Sequence, residues 1–565
     1  MYSSKKIVQS LGEILKAKSI FNIIISPGSR NAPIIIHFTL HKDFSTYSIV
    51  DERCASFFAL GMAQQIRKPV VISCTSGSAV VNCYPAITEA FYQSIPLILV
   101  TADRPKKIID VFEGQSIHQE NIFQKHVETS IQLTEDESES GIWYNDRLIN
   151  ESINKCIFKN KPVHINIPFS EPLYDTTNHL QVKPKIIKTI PVKNYIETYN
   201  YKKEQYIWKK YKKKMILLGL YYPENKKNME KVLRNLSLDP SIIILTETTS
   251  HVYGKLFFSN IDQLIFNMKP KKWTKLKPHI LLTVGVNIIS KKIKFLLRKD
   301  PPIYHWHIGE HYKNYPDTYY KLTTYWPINP ELFFKILNNY NNLLSISVSN
   351  YRKKWEKLKK EKMKKHKFFL KKEESFSDLK VLFFVFKAIP NHTILQLGNS
   401  MIIRYYQLFY EKKYSIKSYC NRGTSGIEGC VSTAAGSATI IKKTVTLIVG
   451  DISFFYDSNA LWNKYIPKNF RIILINNGGG NIFRFISEKK LPKKIFNFFE
   501  TKHFFSAKNI CKMYNWKYEK VSDQDALKNS LSFFWKKSNQ PCLLEINTQR
   551  SNNARILRKY LSYLS

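Results

Sequence analysis

The sequence predicts an α/β protein with three doubly wound parallel-sheet domains. Its length of 565 residues corresponds to about three domains at roughly 100–200 residues each. Apolar residues make up 44% of the chain and aromatic residues 14%, which is enough for packed cores and excludes a disordered chain. Short, nearly continuous apolar runs alternate with helical stretches, and this alternation is typical of parallel strands covered by helices on both faces.

The first domain is predicted over residues 1–180. Its apolar runs are separated by turns and helical stretches, so each run has the length and setting of a buried strand. The predicted strands are residues 21–25, 45–50, 69–74 and 96–102. A Lys- and Pro-rich stretch at 180–195 then predicts a linker.

A central α/β domain is predicted over residues 195–345. Its predicted strands are residues 215–222, 241–248, 279–286 and 301–309. Residues 346–375 are strongly basic. We interpret them as a solvated linker helix rather than a nucleic-acid-binding arm, because runs of charge are usually solvated.

The third domain, predicted over residues 376–565, carries the loops in which ligand binding is expected. Three apolar runs each end in a polar or glycine-rich loop, at 392–400, 444–451 and 471–479. In doubly wound sheets, ligands bind at the carboxyl ends of the strands. These three loops are therefore the first place to look for chemistry.

The composition limits the classes of function. The net charge is +43, but only 15 of the 87 basic residues are Arg and the charge is spread along the chain, so we expect no nucleic-acid partner. The eight Cys residues include no C-x-x-C pair, which argues against a zinc knuckle or a redox motif. The N-terminus does not read as a signal peptide and no apolar run approaches 18 residues, so we expect a soluble, cytoplasmic protein without a membrane span.

A carboxylate and an amide at two strand ends predict a metal site. Asp451 follows Gly450 at the end of one predicted strand, and Asn477, followed by Gly478 and Gly479, ends the next. One carboxylate, one amide oxygen and one backbone carbonyl make a sparse, oxygen-only site, which suits Mg²⁺ bound together with phosphate oxygens. We therefore predict that Asp451, Asn477 and Gly479 are metal ligands.

This arrangement resembles the metal–diphosphate motif of thiamine-diphosphate (ThDP) enzymes. Six motifs, in order and spacing, are similar to those of the MenD subfamily: SPGSRNAP (26–33), DERCASFFALGMA (51–63), TSGSAVVN (75–82), LVTADRP (99–105), NRGTSGIEGCVSTAAG (421–436) and GDISFFYDSNAL (450–461). The resemblance implies ThDP with Mg²⁺ or Mn²⁺ as cofactors. It also implies decarboxylation of 2-oxoglutarate and addition of the resulting four-carbon acyl anion equivalent to isochorismate, in menaquinone biosynthesis.

The resemblance further implies roles for single residues. In ThDP enzymes a glutamate in a separate domain hydrogen-bonds N1′ of the aminopyrimidine ring, and Glu52 matches it. Gln115 matches a glutamine near the reacting centre, so Glu52 and Gln115 are the expected catalytic residues. The expected cofactor-binding residues are Glu52, Ser400, Ile427, Gly450 and Ser453.

Arginine is concentrated in these motifs, although Lys dominates the rest of the chain. Both implied substrates are dicarboxylates, and a planar guanidinium group binds a carboxylate through two hydrogen bonds, which Lys cannot do. The concentration therefore favours carboxylate binding. Together with the resemblance, it gives the expected substrate-binding residues, which are Ser29, Arg30, Arg104, Gln115, Lys291, Arg404, Arg422, Ile482, Phe483 and Ile486.

Three residues are interpreted separately. Gly478 stands where the family loop usually carries a polar residue, and we expect it to loosen the metal loop. His118 and His503 have no nucleophile motif nearby, and we interpret both as structural or peripheral.

The resemblance implies a homodimer or a dimer of dimers, because the cofactor of this superfamily lies between two chains. Two alternatives stay open. One is another ThDP-dependent 2-oxo acid decarboxylase or carboligase, similar to acetolactate synthase, which the clustered arginines disfavour. The other is a non-catalytic basic scaffold, which the presence of Glu52, Asp451 and Asn477 disfavours.

Overall fold

The computed structural model describes residues 1–190, 201–310, 314–342, 348–409, 416–486 and 492–565. Over these residues the chain forms three parallel sheets and one short antiparallel pair, Tyr2–Ser3 with Thr176–Thr177. Helices follow the strands along the chain, and the predicted α/β class with parallel sheets is confirmed. Within the same residues, no helix combines the length and apolar character needed to cross a bilayer.

The first sheet has six strands, and its central strands are completely buried. From edge to edge the strands are Ser45–Ser48, Asn22–Ile25, Val70–Cys74, Leu97–Asp103, Val163–Pro168 and Ser130–Gln132. Its helices are Lys6–Ala17, Ala32–Leu40, Glu52–Ile66, Ser78–Asn82, Tyr84–Gln93 and Glu139–Lys159. Short 3-10 turns lie at Lys106–Ile108 and Gln124–His126.

The middle sheet has five strands. In order they are Ile242–Thr246, Lys214–Leu218, Ile280–Val284, Tyr304–Ile308 and Leu322–Trp326. Its helices are Lys202–Lys210, Lys226–Leu236, Ile261–Ile265, Pro270–Leu276, Lys291–Lys299 and Pro330–Asn342, with a 3-10 turn at Thr248–Ser250.

The third sheet has six strands. In order they are Lys417–Tyr419, Ile394–Leu397, Val445–Gly450, Phe470–Asn476, Cys542–Asn547 and Lys517–Val521. The helices are Asp378–Ala388, Met401–Phe409, Cys430–Ile440, Asp451–Tyr456, Ile482–Ile486, Lys493–Glu500, Lys508–Met513, Gln524–Phe533 and Arg550–Tyr563, with a 3-10 turn at Ser458–Trp462. Each sheet lies within one predicted domain range; the boundaries themselves stay predictions.

One pair of helices joins the first and third sheets. Helix Glu52–Ile66 packs against helix Cys430–Ile440 at very short range: a Cβ atom on Gly61 would lie 1.9 Å from the Thr433 carbonyl oxygen, and one on Gly436 would lie 1.9 Å from that of Phe58. The side chains of both helices belong to one apolar cluster. The first and third sheets therefore share a core within one chain.

The basic stretch forms a helix, Tyr351–Lys372, but it is not the solvated linker that we predicted. Trp355 and Leu358 are buried in a core of the middle sheet, and Phe369 and Leu370 in a core of the third. The aromatic and aliphatic residues lie on one face and most lysines on the other, so the helix ties the two sheets together.

Candidate active site

The predicted metal ligands lie at the carboxyl ends of two neighbouring strands of the third sheet. Asp451 is 3% exposed. Its Oδ1 accepts the Ile452 N–H at 2.8 Å, and its Oδ2 accepts the Gly479 N–H at 2.9 Å. Burial raises the pKa of Asp451, because a desolvated carboxylate is less stable than a hydrated one.

Asn477 presents an oxygen for which the described residues offer no donor. Its Nδ2 donates to Asp378 Oδ2 at 3.0 Å, which fixes the orientation of the amide. Its Oδ1 is buried and accepts no hydrogen bond within the described part of the chain. An unpartnered buried oxygen is costly, so Asn477 Oδ1 is free to accept a ligand, as the metal prediction requires.

The glycine loop that follows Asn477 is hydrogen-bonded to neighbouring segments, and our expectation that Gly478 loosens it stays a prediction. Gly478 has φ +75°, a conformation that glycine adopts without strain. Its carbonyl accepts the His503 N–H at 3.2 Å and Arg550 Nη1 at 2.6 Å. The Gly479 carbonyl accepts the Asn481 N–H at 3.0 Å and keeps a second lone pair.

These donors fit a hard divalent cation. They combine the Asp451 carboxylate, the free Asn477 amide oxygen and the Gly479 carbonyl, and oxygen ligands of this kind suit Mg²⁺. The described residues contain no cluster of three or more His, Cys, Asp or Glu side chains that could hold a metal. A softer metal such as zinc would need such a cluster.

His503 lies against this site, so the peripheral part of our interpretation is wrong for this residue and the structural part stays open. It is 8% exposed, and its Nε2 lies 3.3 Å from Asp451 Oδ2. His118, by contrast, is exposed and pairs with Asp110 at 2.9 Å, which agrees with a peripheral position.

A serine next to the predicted metal ligands is linked to the loop that carries Ile427, one of the expected cofactor-binding residues. Ser453 Oγ donates to the carbonyl of Ile427 at 2.7 Å, so this hydroxyl group is used within the protein. Ile427 and Gly450 are partly exposed. The serine therefore ties the two loops together.

Two arginines lie together at the carboxyl edge of the third sheet. Burial lowers the pKa of Arg404, and the nearby positive charge of Arg422 lowers it further. Arg404 donates to the carbonyl of Ser400. Arg422 is buried, and its Nε has no hydrogen-bond partner among the described residues. Two cations side by side are unfavourable unless an anion joins them.

The first sheet repeats this arrangement. Burial lowers the pKa of Arg30, and the charge of Arg104 adds to the effect. Arg30 Nη1 donates to the Phe169 carbonyl at 2.8 Å and lies 3.2 Å from Glu171 Oε1. Neither guanidinium Nε has a partner within the described chain. Each of the two outer sheets thus presents a pair of arginines.

The remaining predicted residues of the first sheet lie on its exposed rim. Ser29 and Gln115 are exposed, and the Gln115 carbonyl accepts the Ser76 hydroxyl at 2.8 Å. Glu52 is partly exposed and begins its helix. Its Oε2 accepts Asn82 Nδ2 at 3.2 Å.

Comparisons with known proteins identify the family. Residues 5–129 match the family described as "Thiamine pyrophosphate enzyme, N-terminal TPP binding domain". Proteins named 2-succinyl-5-enolpyruvyl-6-hydroxy-3-cyclohexene-1-carboxylate (SEPHCHC) synthase match throughout. Those of Flavobacterium johnsoniae, Christiangramia forsetii and Bacteroides thetaiotaomicron are 45%, 42% and 35% identical, over 100% of this chain and 100%, 99% and 100% of the relative. The chain belongs to the SEPHCHC synthase family. The predicted resemblance is confirmed, and the chain is a ThDP enzyme.

In this member of the SEPHCHC synthase family, helix Lys291–Lys299 of the middle sheet carries the predicted lysine. Lys291 is exposed at the start of that helix, and its role stays a prediction. Lys294, one turn later, is partly buried, and burial followed by nearby charges, among them Arg422, lowers its pKa. Lys294 is therefore a second candidate for a basic group near the third-sheet arginines.

The predicted apolar cover lies on the short helix Ile482–Ile486. Ile482 is partly buried. Phe483 is 37% exposed and stacks on Phe499 with ring centroids 4.9 Å apart. The side chain of Ile486 lies outside the described part of the structure.

Sequence reasoning missed several residues that hold this SEPHCHC synthase site together. Asp378 orients Asn477 from 99 positions away, and burial raises its pKa to about 6. Asn399, Glu89 and Asn287 all contact the loop of Arg422. Asn399 lies in the strand-end loop 392–400 that the sequence analysis had marked, but no sequence signal pointed to Asp378, Glu89 or Asn287.

Proposed function

We propose that this chain makes SEPHCHC from isochorismate and 2-oxoglutarate with release of CO₂, a reaction of menaquinone biosynthesis. The observation that carries the proposal is that Arg30 and Arg422 are buried with a guanidinium Nε that has no partner in the described chain, and that Arg104 and Arg404 are close enough to interact with them electrostatically. Two separate cation pairs suit two dicarboxylates, because each pair can bind one carboxylate through planar, bidentate contacts. A monocarboxylate such as pyruvate needs fewer cations. The full-length relatives are named for the synthesis of the same product, which supports this reaction.

The metal and the cofactor belong to the third sheet in this proposal. Asp451, Asn477 and Gly479 would hold Mg²⁺ or Mn²⁺ through their oxygens, and the bound ion would neutralise charge on the diphosphate of ThDP. Bound ThDP supplies a stabilised position for the negative charge that decarboxylation produces. The loops that carry Gly450 and Ile427 bind the rest of the cofactor.

Three further residues complete this part of the site. Ser453 fixes Ile427 through the hydrogen bond to its carbonyl. Ser400 contacts the cofactor from the next strand end. Glu52 keeps one oxygen on Asn82 and uses the other to hold the proton that it exchanges with the cofactor ring.

The substrates are oriented by the strand-end residues of both outer sheets. Arg30 and Arg104 bind carboxylates at the first sheet, together with Ser29 and the exposed Gln115. Because each guanidinium is partly desolvated, its interaction with an anion is stronger than in bulk water.

At the third sheet, Arg404 and Arg422 bind the carboxylate of the other substrate, with a lysine of helix Lys291–Lys299 nearby. Lys291 and Lys294 both lie on that helix. Ile482 and Phe483 close over the reacting atoms and exclude water, which protects the reactive species from protonation.

The active unit in this proposal is at least a homodimer, with a dimer of dimers as the larger alternative. Glu52 and the metal ligands lie on different sheets, and the superfamily arrangement implied by the sequence pairs one chain's first sheet with the partner's third. Size-exclusion chromatography with light scattering measures the oligomer, and a purely monomeric active enzyme would contradict it.

The reaction itself is tested with purified protein, ThDP, Mg²⁺, 2-oxoglutarate and isochorismate. We expect loss of isochorismate and a product of the SEPHCHC mass that require both 2-oxoglutarate and ThDP. A Glu52→Gln variant should retain ThDP binding and lose activity by about 10²–10⁴-fold. Turnover of another 2-oxo acid with no consumption of isochorismate would reject the proposed reaction.

A further inference from the structure

The loop of residues 421–426, here called the arginine loop, is held from all three sheets at once. It carries Arg422 and leads into Ile427. Asn399, from its own sheet, donates to the carbonyls of Asn421 at 2.6 Å and Gly426 at 2.5 Å. Asn399 Oδ1 accepts Arg422 Nη1 at 3.2 Å. The third sheet thus fixes both ends of the loop and one nitrogen of the guanidinium group.

A buried carboxylate of the first sheet holds the middle of the arginine loop. Glu89 is 1% exposed. Its Oε1 accepts the Gly423 N–H at 2.6 Å, and its Oε2 accepts both the N–H and the hydroxyl of Thr424 at 2.6 Å. Hydrogen bonds to a charged acceptor are the stronger kind. Gln93 also donates to Oε1, at 2.5 Å, so both carboxylate oxygens are occupied within the protein.

The middle sheet holds the same loop through an amide. Asn287 has φ +45°, and its Nδ2 donates to the carbonyl of Arg422 at 2.5 Å and to that of Gly423 at 3.0 Å. Residues 422 and 423 are therefore fixed at their carbonyls by the middle sheet, while the N–H groups of residues 423 and 424 are fixed by the first.

We propose that Glu89 and Asn287 are positioning residues that set the direction of the Arg422 guanidinium group toward the substrate. The inference rests on the proposed function, in which Arg422 binds a carboxylate. Arg422 is buried, and its Nε has no partner among the described residues. Its Nη1 donates to Asn399 at 3.2 Å, so the remaining freedom of the guanidinium group depends on the backbone of residues 422–424. Glu89 and Asn287 fix that backbone from two different sheets.

The test compares Glu89→Gln and Asn287→Asp with Arg422→Lys in the holoenzyme. Both positioning variants keep the shape of the side chain. The introduced glutamine would present an NH₂ group to a backbone N–H, and the introduced aspartate would lose both donated hydrogen bonds. Arg422→Lys shows which substrate's KM depends on Arg422. We expect each positioning variant to raise the KM for that same substrate about tenfold, to change kcat and the ThDP activation constant less than about threefold, and to leave the other substrate's KM unchanged.

Glu331→Gln is the matched control. Glu331 Oε1 accepts the Asn225 N–H at 2.8 Å within the middle sheet, away from the arginine loop, and we expect its KM values to equal those of the wild type. The double variant Glu89→Gln/Arg422→Lys should show less than the product of the two single KM effects, since both changes remove one interaction. Multiplicative effects, or equal increases in both KM values, would overturn the positioning role.

Hydrogen exchange tests whether Glu89 holds the arginine loop, without relying on enzyme activity. The peptide that contains Gly423 and Thr424 should exchange faster in Glu89→Gln than in the wild type, and at the wild-type rate in Glu331→Gln. Unchanged exchange of this peptide in Glu89→Gln would overturn the inference even if the wild-type enzyme converted no isochorismate. If the wild type were inactive but the peptide exchanged faster in Glu89→Gln, the proposed function would be rejected, and the role of Glu89 in holding the arginine loop would stand.

Discussion

The third and middle sheets both place a buried carboxylate directly after a strand, but they use it differently. Asp451 follows strand Val445–Gly450, and Glu247 follows strand Ile242–Thr246. Glu247 is 1% exposed and accepts the N–H groups of Ile289 and Ser290 at 2.5 and 2.8 Å. Asp451 also accepts two backbone N–H groups, but beside it lies the Asn477 oxygen that has no partner in the described chain.

The difference shows what marks a binding site in this protein. Burial and a strand-end position are common to both carboxylates, so neither feature separates structure from function. The neighbouring oxygens do: Asn477 Oδ1, which has no partner in the described chain, and the Gly479 carbonyl belong to the loop whose Gly479 N–H donates to Asp451, and these oxygens can share a cation with the carboxylate. The middle sheet instead uses Glu247 to fix the loop that carries Asn287, Ile289 and Ser290.

The difference between the binding role of Asp451 and the structural role of Glu247 is tested most strongly by Asp451→Asn. The substitution keeps the size of the side chain and removes the charged metal ligand, so we expect kcat/KM to fall by more than ~10²-fold. Asp317→Asn is the control, because Asp317 in the middle sheet also accepts two backbone N–H groups, at 2.9 and 3.0 Å, and should keep normal kinetics. If Asp451→Asn kept activity close to that of the wild type, and this activity did not depend on the Mg²⁺ concentration, the metal assignment would be contradicted.

The role of Glu247 predicts a pH dependence of stability. Burial raises its pKa from the ordinary 4.5 to about 7, partly offset by the two N–H donors. Between pH 4.5 and 7 the unfolded chain releases this proton and the folded chain keeps it, so the free energy of unfolding falls as the pH rises, by about 3 kcal/mol in total. This loss of unfolding free energy is absent below pH 4.5 and reaches its full size above pH 7.

Urea unfolding of the wild type and Glu247→Gln at several pH values measures this effect. Glutamine does not titrate, so the variant should gain stability relative to the wild type as the pH rises through this range. A difference between the two proteins that stays constant from about pH 4 to 8 would exclude Glu247 as the source.

The next prediction concerns Arg30 of the first sheet and is tested by Arg30→Lys. Lysine keeps the charge but loses the planar fork, so we expect the KM of one substrate to rise about tenfold. Arg67→Lys is the matched control, since Arg67 stacks over the Tyr222 ring at 4.2 Å and is not among the predicted substrate residues. Equal effects of the two substitutions on KM would show that Arg30 has only a structural role.

The smallest effect is expected at Gly478, which has φ +75°. Alanine there should cost about 1 kcal/mol of stability, because its Cβ would lie 3.1 Å from the His503 carbonyl oxygen. Gly285 of the middle sheet has φ +77°, and its Cβ would lie only 2.3 Å from the Leu220 carbonyl oxygen. Thermal unfolding should therefore show a larger loss for Gly285→Ala, and the reverse order would contradict the geometry.

Most of the fold could be predicted because its signals are local. The buried strands Val70–Cys74, Val445–Gly450 and Phe470–Asn476 are continuous apolar runs, and such runs are visible in the sequence itself. The edge strands Ser130–Gln132 and Lys517–Val521 are not predicted, because they are short and polar and become strands only by pairing with a neighbour.

The parallel-sheet class, the strand-end motifs and the concentration of Arg in the predicted binding loops can all be deduced from the sequence. Which atoms stay unpartnered, and which residues hold them, depends on the tertiary structure. Asp378 reaches Asn477 from 99 positions away and Glu89 reaches Gly423 from 334. The periodicity and spacing that reveal strands extend over a few residues, whereas these contacts depend on how the sheets pack. Only the folded chain could therefore show that His503 lies beside the predicted metal ligand Asp451 and that all three sheets hold the loop of Arg422.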